Sequence, residues 1–232
     1  MDCRDCTNKK CYINANCLNS WLEFVEKYKT RKLISAGLKL FSEGDLVTGI
    51  YVVCSGKLKI TMKTDKSDES IIRLAGDGQV LGHRGISKNM VYPISAETLE
   101  DSELAFIPHE EFFTLLRQNI DLSFYMMMFF ADELMRSEQK LRLHVLKSDN
   151  EKVASSLCML LDTFGYSKEE LNKIDFAMKL SELSNFAEVS KSVMSKVFKY
   201  LSDLKIIERV KDEIYILNEP ALRKIANIEE SL

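Results

Sequence analysis

The stretch from Leu180 to Val210 constrains the fold of this chain more than any other. Leu180, Leu183 and Phe186-Ala187 give a short helix an apolar face. Ser190 stands where an N-cap is wanted, its hydroxyl able to accept from the backbone N–H groups of the next turn. Val193, Met194, Val197, Phe198 and Leu201 then recur at helical spacing and mark a second helix buried on one side. Its other side carries Lys191, Ser192, Ser195, Lys196 and Lys199, with no acid until Asp203. Ile207–Val210 and Glu213–Leu217 follow as a two-stranded wing. A helix that presents bases and hydroxyls at its N-terminal end is what major-groove reading requires. Ser190, Lys191, Ser192, Ser195, Lys196 and Lys199 are therefore the candidate DNA contacts.

Nothing in the bulk composition announces this. The chain of 232 residues carries a formal net charge of −3, which excludes a bulk electrostatic nucleic-acid binder but not a local basic face. With 46% hydrophobic and 29% charged residues it has material for two modest domains, and three prolines and nine glycines argue against long linkers. No apolar run approaches the roughly 20 residues of a membrane span, and the N-terminus has no signal-peptide core. A cytoplasmic location with reduced thiols and no membrane partner is the expectation.

Upstream, the pattern divides into three further parts. Residues 1–20 are cysteine-rich, and 21–120 open with a short helix over Ser20–Lys29 and continue as short strands broken by glycine. Ile50–Met62 alternates plainly, and Gly37, Gly44, Gly56, Gly76, Gly78, Gly82 and Gly85 fall at turn-like intervals. Such spacing predicts an antiparallel barrel or jelly roll. Pro108 ends it, and His109–Arg117 reads as a short helix. Residues 121–148 form a long helix that Asp121 can cap. Along it Met127, Leu134 and Leu141 lie seven apart, interleaved with Phe130, Ser137 and His144, a short heptad seam suited to pairing two copies. Residues 149–232 hold the helix pair and wing, preceded by a helix over Val153–Phe164 with Asp149 or Asn150 as its cap. The fold class is thus α+β.

Four of the six cysteines, Cys3, Cys6, Cys11 and Cys17, fall within the first seventeen residues. Four thiols are enough to ligate a tetrahedral Zn²⁺ or an iron–sulfur cluster completely. The bland alternative is a mobile tail whose thiols oxidise. Cys54 and Cys158 sit alone among apolar residues and read as small buried hydrophobes. His83 and His109 are expected on the surface.

Barrel, long helix and winged helix-turn-helix, in that order, resemble the CRP/FNR family of bacterial transcription regulators over essentially the whole chain. The resemblance rests on Phe41-Ser-Glu-Gly-Asp45, Tyr51–Leu58, Ala75–Gly82 and Tyr92–Pro108, the last closer to the FNR branch. It implies a cyclic-nucleotide-binding-like jelly roll (a double-stranded β-helix), a dimerisation helix, a two-fold symmetric double-stranded operator, a homodimer and RNA polymerase as partner. The departures then matter. Cyclic AMP binders of the family carry a Gly-Glu-Leu-Gly-like turn and a later Arg-Ser pair for the cyclic phosphate. Here the turn is Gly82-His83-Arg84-Gly85, and Tyr92-Pro93 fall where the pair would be. The phosphate would lack its charge-assisted donor, so an unknown effector rather than cyclic AMP is expected at Gly82, His83, Arg84 and Tyr92. Arg84, a lone charge on a turn, is expected at the surface.

Two more departures concern DNA and metal. The family commonly reads G·C pairs with an Arg-Glu pair and a later Arg; Lys191, Ser192 and Lys196 stand at those positions, without the bidentate geometry of arginine. The family's familiar half-site is therefore not expected. FNR-type oxygen sensors hold a [4Fe–4S] cluster with three N-terminal cysteines and one inside the barrel, and Ala105 occupies that last position here. Either Cys17 supplies the fourth thiol or the cluster is absent, and Cys54 is the weaker candidate because its strand context favours burial. The resemblance favours iron–sulfur over zinc. A cupin-type enzyme is the rival fold-level reading, but its His-x-His…Glu…His metal set is missing. A protein-binding scaffold would want apolar anchors where Lys191–Lys199 present bases. A regulator, not an enzyme, is the expectation.

Overall fold

The computed structural model describes residues 3–63 and 69–227, the side chains of 136 and 139–146 aside. The chain divides into two compact units, Met1–Ser137 and Glu138–Leu232.

In the first unit, helices α1 (Tyr12–Asn16) and α2 (Leu22–Tyr28) precede eight strands: β1 (Thr30–Ile34), β2 (Lys39–Phe41), β3 (Gly49–Ser55), β4 (Leu58–Lys63), β5 (Glu69–Ala75), β6 (Val80–Leu81), β7 (Ser95–Thr98) and β8 (Ser102–Pro108). They form two antiparallel four-stranded sheets, ordered β1-β8-β3-β6 and β2-β7-β4-β5, the jelly roll anticipated from the glycine spacing. The period-2 alternation of β3 explains why one strand serves two cores. Tyr51 and Val53 point into the barrel among Phe41, Leu58, Ile60, Tyr92 and Leu104. Ile50 and Val52 point outward to a second core with Ile13, Cys17, Leu22 and Val25 of the N-terminal segment.

That second core corrects the picture of a mobile tail, because residues 3–28 are folded onto the barrel. Tyr12 N donates to Gly78 O at 2.9 Å, and Ile13 is 2% exposed. Gly78 makes the approach possible: its φ is +85°, and a Cβ there would lie 2.3 Å from the Lys10 carbonyl oxygen.

Helices α3 (His109–Gln118) and α4 (Ile120–Leu146) close this unit. Asn119, not Asp121, caps α4: its Oδ1 accepts from Leu122 N at 3.1 Å. One residue separates the two helices, so the cap position is fixed by where α3 ends. Leu122, Met126 and Glu133 are buried on one face of α4, with Phe129 packed beside them. Phe124, Met127 and Leu134 are exposed on the other. Of the expected seam, Met127, Phe130, Leu134 and Ser137 lie along α4 and are exposed, the Phe130 ring lying 5.6 Å from that of His83. The side chains of Leu141 and His144 lie outside the described residues. Among the described residues no helix is long and apolar enough to cross a membrane.

The second unit holds α5 (Asp149–Phe164), α6 (Leu180–Phe186), α7 (Lys191–Asp203), β9 (Ile207–Val210), β10 (Glu213–Ile216) and α8 (Glu219–Ile225). Ser148, not Asp149 or Asn150, caps α5 through a capping box with Glu151. Leu157, Met194, Leu201, Ile214 and Leu222 pack its core, each fully buried. The α6–α7 turn is closed by Val189 N donating to Ser184 O at 3.0 Å, with Glu188 in the left-handed region at φ 54°.

Candidate nucleic-acid interface and sensory site

Helix α7 buries Met194, Val197, Phe198 and Leu201, and its remaining face is solvent-exposed. Ser190, Lys191, Ser192, Ser195, Lys196 and Lys199 are all exposed there, so the structure brings the whole sequence-derived set onto one surface. Two of its hydroxyls also serve the backbone. Ser190 Oγ accepts from Val193 N at 3.3 Å as the N-cap, and Ser195 Oγ donates to Lys191 O at 3.0 Å. Ser192 Oγ lies 3.1 Å from Ser190 Oγ, and the three lysines are left to face a partner.

The wing adds cations that the sequence reading omitted. A groove of about 340 Å³ between α7 and the ribbon is lined by Ser195, Lys199, Ser202, Arg209 and Lys211. Lys211 sits at the ribbon turn with φ 58°, and Arg209 is paired with Asp212 at 2.9 Å beside the Phe198 ring. Only the folding of the ribbon against α7 brings these side chains into one groove with Lys199.

In the barrel, the residues expected to take an effector are occupied with one another. Tyr92 is 2% exposed, stacks on Phe41 with ring centroids 4.0 Å apart, and donates its hydroxyl to Gly49 O at 2.7 Å. Gly82, at φ +83°, brings the turn against this ring. The turn places His83 and Arg84 against α4, which corrects the surface assignment of His83; Arg84 stays partly exposed but is paired rather than a lone charge. His83 is 2% exposed, with Nε2 3.3 Å from Glu133 Oε2. Arg84 donates to the same oxygen at 2.8 Å, and Arg73 from β5 donates to Oε1 at 3.1 Å. His109 is half-buried, with Nδ1 3.3 Å from the carbonyl oxygen of Thr48.

Burial alone would raise the pKa of Glu133, but His83, Arg73 and Arg84 outweigh it and hold the carboxyl down to about 2. Burial lowers the pKa of His83 despite the carboxylate beside it. A neutral imidazole facing an ionised carboxylate must carry its proton on Nε2. Nδ1 is then a lone-pair acceptor, and it is buried without a partner.

The cysteines separate into two environments. Cys3, Cys6, Cys11 and Cys54 line a cavity of about 280 Å³ between the N-terminal segment and strands β3 and β8, with Lys29, Arg31 and Ala105. Lys29, whose side chain is 4% exposed, donates to Cys3 Sγ at 3.0 Å and pairs with Glu26. Cys17 does not line this cavity; it is buried in the apolar core against which Cys3, Cys11 and Cys54 also pack, and it accepts from Asn119 Nδ2 at 3.1 Å. Burial raises the pKa of Cys3, Cys11, Cys17 and Cys54 alike, Cys17 reaching about 11. Cys54 is half-exposed to this cavity, against the expectation of a buried hydrophobe, whereas Cys158 is fully buried. Among the described residues no three His, Cys, Asp or Glu side chains stand close enough to hold one metal ion. All six thiols are free. The four thiols lining one cavity are the donor set that an iron–sulfur cluster requires.

Comparison with known proteins agrees with both units. Residues 31–119 match the cyclic nucleotide-binding domain, and residues 151–225 match the Crp-like helix-turn-helix domain. The transcriptional activator protein Anr of Pseudomonas aeruginosa is 27% identical over 87% of this chain and 82% of its own length. The fumarate and nitrate reduction regulatory protein of Vibrio cholerae is 25% identical over 99% of this chain and 92% of its own. The structure of FixK2 from Bradyrhizobium japonicum superposes with a TM-score of 0.74 at 15% identity, covering 85% of this chain and 96% of that one. The chain belongs to the CRP/FNR family of DNA-binding transcription regulators.

Proposed function

We propose that the protein acts as a homodimer in which two copies of α7 read a two-fold symmetric duplex, under a signal received at the N-terminal thiols. The observation that carries the DNA reading is the exposed face of α7, where Lys191, Ser192, Ser195, Lys196 and Lys199 stand together with the wing cations Arg209 and Lys211. Lysines at the two positions nearest the bases donate to guanine acceptors or phosphate without arginine's bidentate fork. The preferred half-site therefore differs from the one arginine readers select.

Dimerisation is assigned to α4. Phe124, Met127, Leu134 and Met135 are large apolar side chains at 53%, 58%, 62% and 52% exposure on one helix, a concentration that a partner helix would cover. Ser137, Leu141 and His144 continue the proposed seam. The Pseudomonas relative is named an activator, and on that footing RNA polymerase is the proposed protein partner. The cytoplasm is the compartment this reading requires.

The signal is assigned to the thiol cavity rather than the barrel interior, a reading supported by Tyr92, which stands in the sequence at the family's cyclic-phosphate pair and is buried and stacked on Phe41. Cyclic AMP is not the proposed ligand. Cys3, Cys6 and Cys11 would hold a [4Fe–4S] cluster, which supplies sensitivity to oxidants when bound. The Vibrio relative's name, which refers to fumarate and nitrate reduction, agrees with a respiratory signal. The N-terminal segment would transmit it through the core it shares with Leu122 and Met126 of α4.

The DNA assignment is tested by fluorescence anisotropy on duplexes selected from a randomised pool. Lys191→Ala and Lys196→Ala should each weaken binding about tenfold. Wild-type affinity in the double variant would remove α7 from the interface.

A further inference from the structure

We infer that Cys54, and not Cys17, is the fourth thiolate of a [4Fe–4S] site formed with Cys3, Cys6 and Cys11. The inference rests on the reading that the N-terminal thiols hold an iron–sulfur cluster, and it assigns that cluster a strand ligand.

Three independent features single out Cys54. It sits at a β-bulge: Val53 pairs with Leu104 and Ser55 with Glu103, so Cys54 has no partner across the β3–β8 ladder. A bulge re-aims a side chain at the edge of regular pairing. It follows Ile50 and Val52 on the outward side of β3, the side to which the N-terminal segment is bound. The thiol also opens into the same cavity of about 280 Å³ as Cys3, Cys6 and Cys11.

Cys17 fails each of these conditions. It is 6% exposed, its sulfur accepts from the amide of Asn119, and it does not line the cavity. Moving it there would leave the buried Asn119 Nδ2 without its sulfur acceptor.

The cavity also decides between the two metal chemistries. A tetrahedral zinc at ~2.3 Å from each sulfur would draw four thiolates almost into contact. Here the thiols surround a space without gathering on one point. A cubane cluster takes its four thiolates on four separate irons rather than on one ion, and four thiols line this cavity. Lys29, nearly enclosed and donating to Cys3 Sγ at 3.0 Å, is the charge-assisted donor such a thiolate retains. Ala105, paired with Val52 on β8, lines the same cavity. A thiol placed there would approach the same space from the neighbouring strand.

The test is anaerobic reconstitution of the full chain with ferrous iron and sulfide, reading iron, labile sulfide and the visible spectrum. The wild type should take up about four iron atoms per chain. Cys17→Ala should keep that iron although it loses the Asn119 contact. Cys54→Ala should lose the cluster or retain only a three-iron form, with an unchanged far-ultraviolet circular dichroism spectrum of the iron-free chain. Adding Ala105→Cys to Cys54→Ala should restore four-iron uptake, an outcome that a misfolded variant would not give. Full iron in Cys54→Ala together with loss in Cys17→Ala would overturn the assignment while leaving the cluster reading intact. A wild type that takes up no iron, or binds one zinc in its place, would overturn both.

Discussion

Arg84, on the turn between β6 and β7, donates to the Glu133 carboxylate of α4 at 2.8 Å. The contact ties the Gly82–Gly85 turn of the barrel to the helix whose opposite face is the proposed dimer seam. His83 and Arg73 converge on the same carboxylate, so one acid of α4 balances two guanidinium groups and one imidazole donor. Glu133 thus holds the turn in place from within the chain. A change in how α4 pairs is expected to be felt at this turn, since both depend on the same stretch of helix.

Removing the carboxylate should be costly. Glu133→Ala leaves Arg73 and Arg84 without the acid that partners them and His83 without an acceptor. Breaking a fully buried pair costs 3–5 kcal/mol, and the partial exposure of both arginines reduces the expected loss to about 2 kcal/mol. Urea unfolding of the wild type and variant measures it, and an unchanged midpoint would show that the latch is not stabilising.

The same cluster predicts acid sensitivity. Because the folded pKa of Glu133 is depressed from 4.5 to about 2, its stabilisation is complete above pH 4.5 and is lost as pH falls from there toward 2. His83 has a folded pKa below its ordinary 6.5, so the unfolded chain takes up a proton first and stability begins to fall as pH drops below 6.5. Both terms have the same sign. Between pH 6.5 and 5 the wild type should lose stability more steeply than His83→Gln, read as melting temperature against pH. Parallel curves would contradict the buried neutral state of His83.

Gly78 is the seat of the N-terminal segment. Gly78→Ala forces a left-handed backbone on alanine, at about 1–2 kcal/mol, and sets a methyl against the Lys10 carbonyl. Tryptic cleavage after Lys10 should accelerate while the barrel stays resistant, followed by mass spectrometry of a digestion series.

At the end of α7, Lys205 takes the left-handed conformation at φ 54° while its N–H donates to Ser202 O at 2.9 Å. Glycine is favoured at such a helix stop. Lys205→Gly should raise stability by about 0.5–1 kcal/mol, the gain being trimmed by the freer unfolded chain. Chemical denaturation of the isolated change checks the sign.

How much of this was legible follows from the range of each signal. The α6–α7 pair and the wing were readable because amphipathic spacing and the Ser190 cap are local, and the same residues lie on the face they were assigned. The jelly roll was readable from alternation and glycine turns. The cap at Asn119 was missed because it depends on where α3 stops, one residue before α4 begins. The burial of His83 and the pairing of Arg84 are not legible because their partner, Glu133, lies about fifty positions downstream. The strand context of Cys54 reads as burial, and the bulge at that position leaves no trace in one strand's sequence: only the pairing of β3 with β8 reveals it.

The most direct measurement is a hydroxyl-radical footprint of the protein on a duplex selected from a randomised pool. Two copies of α7 acting as one reader should protect two patches on the same face of the duplex, about 34 Å apart and related by two-fold symmetry. Both patches should vanish together in Lys191→Ala/Lys196→Ala. A single protected patch, or two that persist in that variant, would contradict the reading of this chain as a dimeric reader acting through α7.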